Sequence, residues 1–76
     1  MAIHLQVQAR LAPLLGRKTA EAAVKLSART WLEREVDAVG LPELPRLCEG
    51  LRPMLTTFLG AEVAAGLVES ILREVR

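Results

Sequence analysis

The sequence predicts an all-α fold, a small four-helix arrangement of two helical hairpins. Three observations carry that expectation. Apolar residues recur at helical spacing along most of the chain. With one Phe, one Trp and no Tyr, the core must come from Leu, Val and Ala. A Pro-then-Gly pattern recurs in the two halves. At 76 residues the chain reads as one helical domain, 1–76.

Residues 3–11 fit two patterns. Ile3, Leu5, Val7, Ala9 and Leu11 alternate with His4, Gln6, Gln8 and Arg10, as in a strand, while Ile3, Val7, Leu11 and Leu14 keep helical spacing. A lone strand has no partner elsewhere in the chain and would pair with its copy in a dimer. Gln, Leu and Ala favour helix mildly, so helix is the leading reading and the short dimer-pairing strand the alternative. Pro13 would kink this helix or open a short second one. Gly16 marks a break, with the turn expected over Gly16-Arg17-Lys18.

Residues 19–39 read as the longest helix. Thr19 suits the N-cap, since its hydroxyl can accept from a free first-turn N–H, and Glu21 suits the positive end of the helix dipole. Ala20, Ala23, Val24, Ser27, Ala28, Trp31 and Ala38 share one face, small residues around one large ring. Lys18, Lys25 and Arg29 form a basic stripe opposite, flanked by Leu26, Leu32 and Val36. Gly40 followed by Pro42 predicts the stop.

The stretch 40–46, with Pro42 and Pro45, reads as a stiff connection. Leu44, Leu47, Cys48, Leu51, Met54, Leu55 and Phe58 then resume helical spacing. Pro53 lies inside that run and predicts a kink near Gly50 or two short helices. The last segment, 61–76, is the most amphipathic. Ala64, Leu67, Val68, Ile71, Leu72 and Val75 share a face, with Glu62, Glu69, Arg73 and Arg76 opposite and Glu69–Arg73 spaced for an i,i+4 pair.

The internal repeat has two registers. Leu11-Ala12-Pro13-Leu14-Leu15 resembles Leu51-Arg52-Pro53-Met54-Leu55. Leu15-Gly16 followed by Ala20 and Val24 resembles Leu59-Gly60 followed by Ala64 and Val68, four residues out of step with the first match.

Composition narrows the function classes. A chain this short buries only about 60% of the surface its unfolded form exposes, yet 51% of its residues are hydrophobic. Apolar surface left over predicts self-association or docking on another helical protein. Residues 1–34 carry six basic and two acidic side chains, residues 35–76 four basic and seven acidic, so the halves attract one another. The lone Cys excludes an internal disulfide, and no basic segment followed by an apolar run opens the chain. A cytoplasmic protein with no membrane segment is expected.

Catalysis and metal binding are poorly supplied. His4 and Cys48 are the available base and nucleophile, but Cys48 lies on an apolar stripe, where a thiol acts as a small hydrophobe. No cofactor, metal or small-molecule substrate is expected. Gly16-Arg17-Lys18-Thr19 lacks the upstream Gly of a phosphate-binding loop.

The alternative is an anionic partner. Arg17 and Lys18 precede a predicted helix N-terminus, and Lys25 and Arg29 extend the same surface. From Gly16 through Trp31-Leu32-Glu33-Arg34 the chain resembles the second helix of ribbon–helix–helix repressors. That resemblance implies DNA binding, with residues 3–10 as the ribbon and His4, Gln6, Gln8 and Arg10 facing a major groove. It leaves only Ala9–Leu15 for the first helix of that family and nothing for residues 40–76.

The leading expectation is a non-catalytic interaction or adaptor module that self-associates through apolar helix faces. Leu26, Trp31, Leu32 and Val36 on the central helix, with Val68, Ile71 and Val75 on the last, are the expected partner-binding residues. Arg17, Lys18, Lys25 and Arg29 are the expected contacts for an anion or nucleic acid.

Overall fold

Two glycines turn the chain, and they do so identically. In the computed structural model, which describes residues 2–76, α1 (Ile3–Leu15) and α2 (Arg17–Ser27) are joined by Gly16 alone. The helices α3 (Leu44–Leu59) and α4 (Ala61–Glu74) are joined by Gly60 alone. Gly16 has φ 89° and ψ 153°, Gly60 φ 89° and ψ 157°, a region that side-chain-bearing residues avoid. Each glycine amide donates to the carbonyl four residues back, Ala12 or Thr56. Each glycine carbonyl accepts from the amide four residues ahead, Ala20 or Ala64.

The chain is therefore all-α, two helical hairpins set together. The glycine-centred register of the repeat is the one the fold uses. Leu11 matches Leu55, Ala20 matches Ala64 and Val24 matches Val68, and all six are buried. Leu14 and Phe58, two residues before each glycine, are both exposed. The proline match falls one helical turn out of step because Pro13 precedes its glycine by three residues and Pro53 by seven.

Residues 3–11 form helix, so the strand alternative is overturned. The side chains of Val7 and Leu11 enter the core, and Ile3 and Leu15 pack at its edge. Leu5 and Ala9, which a strand would place on the same face as Val7 and Leu11, are exposed instead, as the helical period requires. Pro13 sits in the last turn of α1 without ending it. Pro53 likewise sits on the exposed side of α3, which runs unbroken from Leu44 to Leu59 instead of as two short helices. Beside it, the hydroxyls of Thr56 and Thr57 donate to the carbonyls of Arg52 and Pro53 at 2.8 and 3.0 Å.

The central helix departs from expectation at both ends. It begins at Arg17 with Gly16 as N-cap, not at Thr19. It does not reach Gly40: Ala28–Leu32 widen into a π-helical turn, and Glu33, in the left-handed conformation at φ 53°, ends it. Two short 3₁₀ turns, Val36–Ala38 and Leu41–Glu43, then lead to α3. Ala20, Ala23, Val24, Ser27 and Ala28 are buried as their spacing implies, but Trp31 and Ala38 are exposed because the helix has changed pitch or ended before them.

The hairpins meet where α2 crosses α3. Gly50 on α3 is buried and takes the π turn against its backbone. The Ser27 hydroxyl donates to the Leu47 carbonyl at 2.8 Å, satisfying the one buried polar side chain of this core. Elsewhere α1 is tied to the end of α4. The Gln6 amide nitrogen donates to the Arg76 carbonyl at 2.6 Å and its oxygen accepts from the Arg76 amide at 3.1 Å. Arg10 pairs with Glu74 at 2.9 Å. A hydrogen bond from Ser70 and then the Arg10 guanidinium hold the Glu74 carboxyl below its ordinary range. Among the described residues Glu69 and Arg73 make no ion pair, despite their i,i+4 spacing.

Candidate interaction surface around Trp31

A cleft opens at the π turn. Widening the helix by one residue rotates Trp31 toward α3. A β-carbon at position 50 would overlap both the Trp31 ring and the Ser27 hydroxyl, so the absence of a side chain at Gly50 is what admits the indole there. Its outer side stays open, and Trp31 is 46% exposed. π turns are rare and are frequently found at functional sites.

Trp31 and Leu32 form one wall of a cleft of about 690 Å³, with Thr30, Glu33, Arg34, Pro42, Glu43 and Arg46 around it. The loop side is braced. Glu43 accepts from Arg34 at 2.6 Å and from the Gly40 amide at 3.1 Å, fixing the approach to α3. Arg46, in the first turn of α3, makes no ion pair among the described residues and leaves a free cation at the rim. Trp and Arg are among the residue types over-represented where proteins meet.

The expected partner-binding residues do not form one face. Trp31 and Leu32 line this cleft. Val36 lies apart, with His4, Leu5, Gln8, Arg17, Glu21 and Lys25 around a second hollow. Leu26 is 55% exposed and lines neither. Val68, Ile71 and Val75 are buried in the chain's own core, so their assignment to a partner is corrected. Of the amphipathic stripe of α4, Ala64, Val68, Ile71 and Val75 are covered within the fold, while Leu67 is half-buried and Leu72 exposed. What sequence reasoning missed is the contribution of Pro42, Glu43 and Arg46, which only the π turn and the braced loop bring to Trp31.

Arg17, Lys18, Lys25 and Arg29 all lie exposed on α2 and its π turn, with Arg29 3.9 Å from Glu35. The repressor resemblance loses its reading element, because the would-be ribbon is helix. Gln6 and Arg10 hold the end of α4 instead of facing outward as a pair of readers.

Cys48 is buried, and its burial, with the Glu49 carboxylate beside it, pushes the thiol up to about 11. His4 Nδ1 is buried with no hydrogen-bond partner among the described residues. No group of three His, Cys, Asp or Glu side chains able to hold a metal occurs among the described residues. No described helix is long and apolar enough to cross a membrane.

No protein family, curated protein or solved structure matches this chain.

Proposed function

We propose that this chain is a non-catalytic protein–protein interaction module that associates, with itself or with another helical protein, through apolar surface centred on Trp31. The observation that carries this reading is the half-exposed indole seated against Gly50, where the two hairpins meet. An aromatic ring that needs no reordering on binding loses little entropy and gains most of its burial energy, which suits an anchor. Leu5, Leu14, Leu26, Leu41, Phe58, Val63 and Leu72 are also exposed, so the apolar surplus noted in the composition persists on the surface. The role assigned is one of the cytoplasm, with no cofactor and no small-molecule substrate.

Trp31 is the chain's one Trp, so its fluorescence reports on this surface alone. As the concentration of the chain rises, its emission is expected to shift to the blue and its quenching by acrylamide to fall. Trp31→Ala is expected to weaken association by about tenfold or more. A chain that stays at 8.3 kDa with unchanged emission up to millimolar concentration overturns self-association through Trp31.

A further inference from the structure

The repeat places opposite charges at equivalent positions on the outer faces of α2 and α4. Lys18, Ala22 and Lys25 on α2 correspond to Glu62, Gly66 and Glu69 on α4, each the same distance beyond its hinge glycine. All six are exposed. Spaced i, i+4 and i+7, each trio lies along one line of its helix. None of the four charges makes an ion pair among the described residues. Lys18, Ala22 and Lys25, with Glu21 at their edge, surround a shallow hollow of about 340 Å³.

From this we infer that α2 of one copy docks against α4 of a second copy, with Lys18 and Lys25 meeting Glu69 and Glu62 around an Ala22–Gly66 contact. The inference goes beyond the Trp31 surface, which neither face includes. The argument is one of charge complementarity between two unpartnered helix faces on the same molecule, which makes another copy the occupant that fits. Gly66 supports it. Nothing in the fold lies within 4 Å of the position its β-carbon would take. A mid-helix glycine weakens its own helix relative to Ala. Within its own chain Gly66 has no neighbour that requires it; against Ala22 of another copy it lets the helix axes approach closely.

The helices run antiparallel in this contact. A parallel arrangement would set Arg29 on Arg73, which occupy equivalent positions one turn further on. Antiparallel docking about Ala22 and Gly66 sends these two arginines to opposite ends, past the hinge glycines, and opposes the two helix dipoles. Glu21 stays at the edge. Because each copy carries both faces, two copies close a two-fold dimer when both pairs engage, and a head-to-tail series when they engage different neighbours.

The test is solution mass by light scattering, with circular dichroism to verify folding. The wild-type chain at low salt is expected to show at least twice its 8.3 kDa, and to lose that mass as salt is raised. Lys18→Glu with Lys25→Glu, and separately Glu62→Lys with Glu69→Lys, are each expected to stay folded and to lose the salt-sensitive part of the wild-type mass. Mixing the two variants, or combining all four changes in one chain, is expected to restore the wild-type mass. Gly66→Leu is expected to abolish the same salt-sensitive association with no loss of thermal stability. A wild-type monomer at low salt overturns the inference, as do folded charge variants with unaltered mass or a fourfold variant that stays monomeric. Trp31→Ala moves the Trp31 reading and leaves these charges in place, so the two proposals fail separately.

Discussion

Trp31 lies over Gly50 so closely that no side chain fits between them. The contact joins the two hairpins, since Trp31 belongs to the turn that ends α2 and Gly50 to the middle of α3.

Gly50→Ala tests it. In an open helix this change would add about 1 kcal/mol of helix propensity. Here the new methyl meets the base of the indole and a hydroxyl fixed by its hydrogen bond to Leu47, neither of which is a flexible end. Overpacking of this kind costs about 1–3 kcal/mol, so the net effect is destabilising. Gly66→Ala is the control: with open space around it, it gains the propensity alone. Chemical unfolding of both at dilute concentration checks the contrast, and Trp31 emission changes only in Gly50→Ala.

Ser27→Ala removes the buried hydroxyl that caps this contact. The hydroxyl bonds to the Leu47 carbonyl at 2.8 Å and is almost fully buried. Loss of about 1 kcal/mol is expected, the ordinary net value of such a bond. Urea unfolding with an unchanged slope would assign the loss to the native contact.

The hinge glycines should behave alike. Neither has a neighbour within 4 Å of its missing β-carbon, so sterics with the rest of the fold play no part. The cost of Gly16→Ala and of Gly60→Ala is then backbone strain at φ 89°, about 1–3 kcal/mol each. Thermal melts of the two single variants should agree closely. A neutral result at either glycine would show that its hairpin turns in some other way.

Cys48 sets a stability loss on the alkaline side. Burial first, and Glu49 second, hold the folded thiol protonated up to about 11, against an ordinary value of 9.0. Above pH 9 the unfolded chain gives up this proton and the folded chain keeps it, so unfolding becomes easier until about pH 11. Unfolding free energies measured across that window should fall in the wild type and fall less in Cys48→Ala. Thiol-reactive dye should label the native protein slowly at neutral pH.

Much of this architecture was legible from residue spacing. The stripe Ala64, Val68, Ile71, Val75 is buried as its period implies, and so is Ala20, Ala23, Val24, Ser27, Ala28. Gly16 was readable as a break because so few other signals compete with it there. The end of the central helix was not legible. Glu33 adopts the left-handed conformation without being glycine or asparagine, and the π turn before it depends on Gly50, far along the chain. Local propensity carries no trace of a contact made at that distance. The same reason explains Val68, Ile71 and Val75. A one-sided helix announces that its apolar side is covered, but its own residues do not say whether the cover comes from this chain or another.

Single-residue hinges also bear on how the molecule assembles itself. With only Gly16 or Gly60 between paired helices, bringing them together closes almost no loop, and little chain freedom is lost before favourable packing begins. Each hairpin is thereby a local folding unit, and such topologies fold fast, in roughly microseconds to milliseconds. The meeting of the hairpins, with the indole of Trp31 entering the gap at Gly50, is then the step expected to come late.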